Sequence, residues 1–323
     1  MAVFKIVHLT KHQYNLPIKE SNNEIRLFPH NFDNQEVLQH QLLITTNPIV
    51  EISTDFYGNS VGNFNILAPH KEMIIESRMV VQVNHSLKIP EIDTTTVQDL
   101  EIEKAKNSSL LRLCYPENIA QQKKIDAFLK RINYLEKPIT EIAQKCSEYI
   151  FKNFTYTKGI TTIETTVDEI LMHKKGVCQD FAHVLLQFLR TAGIPTRYVS
   201  GYICPNATGF RGEGATHAWV EFYTPTQGWL GIDPTNNIWT MDNHVKLSVG
   251  RDFNECTPVK GTFKGLAKQT LSVSVSIGYE DGRQFEEIND VKLQKVSDEV
   301  QRQLDMMDYQ LKLQFRQQEQ QQQ

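Results

Sequence analysis

The sequence predicts an α+β protein: an N-terminal antiparallel β-sandwich domain, followed by a domain in which helices pack on an antiparallel sheet. Three observations lead there. Residues 1 to about 90 alternate apolar and polar positions with the period of a strand. Residues 119–192 change to a helical period. From Thr196 the strand period returns. A chain of 323 residues, 40% of them hydrophobic, is long enough for two or three such cores.

At the N-terminus, Phe4, Ile6 and His8 alternate with Val3, Lys5 and Val7. The run "EVLQHQLLITTNPIVEISTDFYGNSVGNFNIL" carries several strand-like segments broken by Asn-Pro and Gly-Asn, and "EMIIESRMVVQVN" reads as a further strand pair. The polar stretch "EIDTTTVQDLEIEKAKNSS" lacks clear periodicity and marks a boundary. The expected domains are therefore 1–95, 96–285 and a C-terminal segment 286–323.

In the second domain, Ile125, Phe128, Leu129 and Ile132 form one helical stripe, and Ile142, Cys146, Tyr149 and Ile150 another. A third helix is expected over 178–192. Its apolar residues Phe181, Ala182, Val184, Leu185, Leu186, Phe188 and Leu189 leave only a narrow polar stripe of Asp180, His183, Gln187 and Arg190. Gly193 and Pro195 end it, as a left-handed cap and a breaker. The segments "TRYVSGYIC", "HAWVEFY", "GWLGID" and "QTLSVSVSIGYE" then supply the sheet. Beyond residue 286, Val296, Val300, Leu304, Met307 and Leu311 recur at helical spacing, which fits a helix docked on the body or a short coiled coil joining a homo-oligomer. The tail "RQQEQQQQ" is low-complexity.

Composition narrows the function classes. A net charge of -4 gives no basic excess for nucleic acid. No apolar run reaches the ~18 residues of a membrane-spanning helix, and the N-terminal "MAVFKIVHLTKHQYNLPI" lacks the apolar core of a signal peptide. The five cysteines (114, 146, 178, 204 and 256) form no CxxC pair, so neither a disulfide framework nor a structural zinc site is expected, and the chain is read as cytosolic with reduced thiols.

Cys178 stands where the third helix begins. The unpaired N–H groups and dipole of a helix N-terminus favour the thiolate, which is the reactive form of cysteine, and the same amides can hold an oxyanion. Gly176 would let backbone and substrate approach. The bland alternative is a small hydrophobe packed under the helix start. A nucleophile needs a base and the base an orienter. "THAWVEFYTPTQGWLGIDPTN" reads as a hairpin, and if its turn centres on Pro225, His217 and Asp233 lie directly opposite each other. That suits an imidazole bonded to a carboxylate, and equally an ordinary cross-strand polar pair. Trp219 shares the face of His217 with Glu221. It is the candidate substrate-binding wall, or simple core. His183 reads as a structural hydrogen-bonder, and Asp180 as a favourable first-turn carboxylate. Cysteine, histidine and aspartate can also bind zinc, but no paired spacing supports a metal site. "GFRGEG" precedes a strand rather than a helix, so it reads as a flap beside His217 and not as a phosphate loop.

Beyond these local readings, "GVCQDFAHVLLQFLRTAGIPTRYVSGYI", "THAWVEFY" and "GWLGIDPTNN" resemble the three consecutive signature segments of the transglutaminase-like superfamily, in the order Cys, His, Asp. "IVHLTKHQYNLPI", "EIRLFPH" and "DFYGN" resemble the N-terminal β region of its bacterial branch, and "NHVKLSVGRDFNECTPVKGTFKG" the branch's downstream stretch. The resemblance covers about residues 1 to 280. Thr216 stands where the branch usually has serine, a change between small hydroxyl residues. The resemblance implies a papain-like α+β fold with Cys178 as nucleophile, His217 as general base and acid, and Asp233 as orienter. It implies a thioester on Cys178 formed from a peptide or other amide substrate, resolved by water or by an amine, without metal or cofactor. A non-catalytic binding or scaffolding protein that keeps the fold is the other class.

Overall fold

The computed structural model describes residues 2–32, 34–84, 94–157, 165–204, 211 and 216–279. The N-terminal strands are β1 (Ala2–Ile18), β2 (Glu20–Ile25), β3 (Gln35–Ile44), β4 (Glu51–Thr54), β5 (Ser60–Ile66) and β6 (His70–Val83). The helical stretch holds α1 (Val97–Lys106), α2 (Ser108–Arg112), α3 (Gln122–Arg131), α4 (Ile139–Asn153), the short strand β7 (Thr155–Tyr156), α5 (Val167–His173), the short strand β8 (Lys175–Gly176) and α6 (Cys178–Thr191). Then come β9 (Thr196–Ile203), β10 (Thr216–Thr224), β11 (Gly228–Asp233), β12 (Ile238–Trp239), β13 (His244–Gly250), α7 (Phe253–Cys256), β14 (Val259–Lys264) and β15 (Gln269–Tyr279). Among the described residues, no helix is long and apolar enough to cross a membrane.

Two compact units emerge, and they do not follow the expected boundaries. One takes Phe4–Pro29, Val37–Val81 and the described residues from Pro258 onward; the other takes His30–Glu36 and Gln82–Thr257. The β unit contains two four-stranded sheets, ordered β15-β1-β6-β3 and β14-β2-β5-β4. The ring of Tyr14 in the first lies 5.0 Å from Phe263 in the second. "QTLSVSVSIGYE", expected in the second domain's sheet, instead pairs with β1 from Phe4↔Tyr279 to Tyr14↔Gln269, and β14 pairs with β2. The expected 96–285 domain is thus corrected at its C-terminal end. Alternation identifies a strand but not the sheet it joins. The C-terminal segment 286–323, with its proposed helix and self-association, lies outside the described residues.

In the other unit, α6 is the centre of the core. Phe181, Val184, Leu185 and Leu189 are fully buried and pack with Ile125, Leu129, Ile142 and Ile150 of α3 and α4 and with Ala218, Val220, Phe222, Leu230 and Ile232 of the sheet. Each such large apolar side chain contributes about 1.5–3 kcal/mol by leaving water. The polar stripe of α6 binds main chain throughout. Asp180 accepts from the Val177 N–H at 2.7 Å, and His183 Nε2 accepts from the Phe253 N–H at 3.2 Å. Gln187 both accepts from and donates to the Glu117 backbone at 2.8 Å. Arg190 donates to the carbonyls of Thr196 and Arg251. Gly193, at φ +80°, follows the helix as the left-handed cap.

The sheet runs β12-β11-β10-β9-β13. The β10–β11 register, Val220↔Ile232 through Thr224↔Gly228, centres the turn on Thr226, one residue later than expected. Continued one residue, it sets Asp233 opposite Trp219 and diagonal to His217. On the face away from α6, Glu221 is buried between two cations. Arg197 Nε donates to it at 2.6 Å, and Lys246 pairs with its other oxygen. Burial opposes the charge, but the two cations hold the Glu221 carboxyl down at about 2. Its folded-state pKa lies below the ordinary 4.5, so its contribution is present above pH 4.5 and is lost as pH falls through about 2. Glu221→Ala should cost about 2–4 kcal/mol by leaving two largely buried cations uncompensated. Urea unfolding should show this gap near pH 7 and its closure between about pH 4.5 and 2; a gap independent of pH would refute the ion-pair account.

Candidate active site

The site is assembled where α6 starts. Cys178 is the first residue of the helix and is half-buried, whereas Cys114, Cys146, Cys204 and Cys256 are buried. The approach to the helix is fixed by β7 and β8, a parallel pair in which Tyr156 lies beside Gly176. A Cβ at Gly176 would sit 2.6 Å from Asp180 Oδ2. The glycine therefore makes room for the carboxylate that caps Val177.

His217 and Asp233 meet as neighbours across the hairpin. Both side chains are fully enclosed, and His217 Nε2 is 2.8 Å from Asp233 Oδ2. Asp233 Oδ1 accepts from the Thr235 N–H at 2.8 Å, and Oδ2 also accepts from Asn236 Nδ2 at 2.8 Å. Asn236 Oδ1 in turn accepts from the Arg211 N–H at 2.8 Å. Burial works against charge on both groups. It raises the Asp233 pKa and lowers that of His217, but their mutual attraction wins, so the carboxyl lies below its ordinary value and the imidazole above it. Cys178 is close enough to act on the same ring, and both hydrogen bonding and charge at its sulfur raise the His217 pKa further. The second ring nitrogen, Nδ1, is buried and takes no part in the Asp233 contact, which leaves it as the nitrogen that faces the Cys178 sulfur.

Three residues that sequence reasoning passed over belong here. Burial pushes the Tyr156 hydroxyl pKa up, with Cys178, Asp233 and Asp180 adding to the rise, so the phenol stays protonated. Asn236 follows Asp233 in the "DPTNN" turn, where an amide within hydrogen-bond reach was a readable signal. His244, at the start of β13, has Nε2 3.6 Å from Asp233 Oδ2; nothing in its local pattern announced it. Trp219, expected to contact substrate, is corrected: its ring is 1% exposed, stacks behind His217 at 6.4 Å and meets His244 edge-on at 5.2 Å. A Cβ at Gly201 would strike this ring at 2.6 Å. In the "GFRGEG" flap only Arg211 falls within the described residues. The ligating atoms of His217, Asp233 and His244 lie within 4.8 Å of one another and could hold a small cation, though only by giving up the His217–Asp233 hydrogen bond.

The family model described as the transglutaminase-like superfamily matches residues 126–234, a span that contains Cys178, His217 and Asp233. The model for the bacterial transglutaminase-like N-terminal region matches residues 4–82. An uncharacterized protein of Mycobacterium leprae (strain TN) is 32% identical over 281 residues, covering 84% of this chain and 97% of the relative. The chain belongs to the transglutaminase-like superfamily. A protein-glutamine gamma-glutamyltransferase of Pseudomonas aeruginosa is 35% identical over 109 residues, 32% of this chain and 16% of that protein. Among solved structures, a candidate cysteine protease from Cytophaga hutchinsonii superposes with a TM-score of 0.68 at 20% identity, over 90% of this chain and 94% of that one, and so shares the fold.

For this transglutaminase-like chain, the glycine before the helix yields a direct test. Gly176→Ala should destabilise by about 1–3 kcal/mol, through overpacking and loss of the Asp180 cap. In an Asp180→Ala background the same change should cost much less. Chemical denaturation of the four members of this cycle measures the coupling, and additive costs would show that Gly176 serves some other purpose.

Proposed function

We propose that the chain is a cysteine-dependent amide hydrolase or acyltransferase that works through a thioester on Cys178, with His217 and Asp233 as its partners. The observation that carries this reading is the enclosed His217–Asp233 hydrogen bond, with the imidazole beside a half-exposed cysteine at a helix N-terminus. The raised His217 pKa favours an imidazolium, whose charge stabilises a thiolate at Cys178.

The reaction follows from these positions. The Cys178 sulfur attacks the amide carbonyl carbon. The Cys178 N–H, free of an intrahelical acceptor in the first turn, and the Tyr156 hydroxyl are the donors suited to the resulting oxyanion. Collapse breaks the C–N bond as His217 gives its proton to the leaving amine. In the second half, His217 removes a proton from water or an incoming amine, which attacks the thioester and expels the sulfur as acid or new amide forms. Asp233 keeps the imidazole in one orientation throughout. The substrate class is a peptide or another amide-bearing molecule. The transferase name carried by the Pseudomonas relative supports acyl chemistry at a glutamine amide.

Iodoacetamide at pH 6 should label Cys178 far ahead of the four buried cysteines. Access alone would give that preference, so the deciding comparison is His217→Ala, in which labelling at pH 6 should slow by on the order of tenfold. Amide turnover should vanish in Cys178→Ala. Equal labelling of wild type and His217→Ala, with no Cys178-dependent turnover on an amide library, would leave a binding or scaffolding protein. A primary amine added during turnover separates the two enzymes: a new amide marks transfer, and free acid alone marks hydrolysis. We also propose a cytosolic location, because none of the five cysteines is in a disulfide. Cell fractionation that recovers the protein outside the cytosol would overturn it.

A further inference from the structure

Asp233 has one neighbour that the proposed mechanism does not use. His244 is buried at the edge strand of the sheet, and its Nε2 has no hydrogen-bond partner, although Asp233 Oδ2 lies 3.6 Å away. The ring is held from behind. Asn243 donates to the Cys204 carbonyl at 3.4 Å and accepts from the Cys204 N–H through its own carbonyl at 2.8 Å. Trp219 stands edge-on to the ring on one side.

Which nitrogen of His244 carries the proton can be argued. Nδ1 lies 3.3 Å from the Met241 N–H, which can only donate, and 3.1 Å from Asn243 Oδ1, which can only accept. The carboxylate decides between them. A bare Nε2 would set its lone pair against a buried full negative charge, a costlier clash than a bare Nδ1 against the neutral Asn243 oxygen, so the proton sits on Nε2 and Nδ1 accepts from Met241. Burial holds the His244 pKa down against the opposing pull of Asp233, and the positive His217 adds to the burial effect. The ring is therefore a neutral donor aimed at Asp233.

We propose that His244 is a positioning residue: a reserve N–H donor that shares the Asp233 carboxylate with His217 and limits how tightly that carboxylate binds the His217 proton. This rests on the function proposed above. When His217 passes its proton to the leaving group, Asp233 loses most of its nearby positive charge. The His244 N–H, added to those of Thr235 and Asn236, offsets part of that loss and makes the transfer easier. The charged and titratable groups around the pair are Cys178 and Asp180 on α6, Tyr156 on β7, His217 on β10 and Asp242 just before β13. Of these only His217 donates to Asp233; the Thr235 N–H and the Asn236 amide are already committed to the carboxylate in both protonation states of His217.

The test is the titration of His217 followed by NMR of ring-labelled histidine in wild type, His244→Ala and His244→Gln. Histidine signals are assigned with His217→Ala as the blank. In His244→Ala the His217 pKa should rise by about 0.5–1 pH unit. His244→Gln, which returns an N–H donor at similar reach, should bring it back. In turnover, kcat of His244→Ala should fall on the order of tenfold with KM within about twofold, and the alkaline limb of the kcat profile should move with the NMR value. An unchanged His217 titration in His244→Ala overturns the proposal, as does a shift that Gln fails to reverse. The titration needs no substrate. A wild type without Cys178-dependent turnover would therefore defeat the functional reading while leaving this inference to be judged on the NMR result alone.

Discussion

The structure around the site is organised by one buried negative charge. Asp233 is fully enclosed, and an enclosed carboxylate costs several kcal/mol unless donors meet it. Every donor comes from a different local decision of the chain. His217 arrives on the neighbouring strand, the Thr235 N–H from the tight turn after β11, and Asn236 from one residue further on. His244 approaches from beyond β9. That crossing is possible because β9 carries glycine at residue 201, where any side chain would collide with the Trp219 indole and the Val245 carbonyl. Small residue, flat ring and second histidine form one packing solution on a single sheet face.

The cysteine helix obeys a related constraint. A helix buried on nearly all sides must still satisfy the polar groups of the loops that meet it. Asp180, His183, Gln187 and Arg190 do so one turn at a time, each bonding to main chain. The narrow polar stripe of α6 is therefore a row of ties. Asp180 is the tie nearest the candidate nucleophile, because it fixes the residue immediately before Cys178.

How much of this was legible follows from which signals are local. The cysteine helix, its glycine stop and the β10–β11 hairpin rest on short-range pattern, and the structure contains them. The hairpin's turn slid by one residue, which changed a direct His217–Asp233 pairing into a diagonal one without separating the side chains. The helix α1 was read as an aperiodic boundary because its apolar stripe is weak. Its start was nevertheless written in Thr96 and Asp99, whose backbone and hydroxyl contacts form a cap. What could not be read was partnership over distance. Nothing near residues 259–279 says that β14 and β15 complete sheets begun some 250 positions earlier, and nothing near His244 says that it faces a carboxylate on another strand.

Five cysteines in one chain also show how folding sorts chemically equal groups. Burial pushes the Cys114 thiol up to about 11 and raises those of Cys146 and Cys204 as well. The environment that hides these sulfurs from reagents also suppresses their reactive form, so access and acidity reinforce each other. Cys178 alone of the five is partly open, because the first turn of a helix is a position where backbone donors remain available and a side chain can reach the surface. A neighbouring imidazolium then adds something exposure cannot supply, a charge that depends on Asp233 remaining ionised. The proposed reactivity at the sulfur is thus tied, through one ring, to the burial of a carboxylate on the far side of that ring. The histidine and the acid respond to pH as a coupled pair rather than as two separate groups.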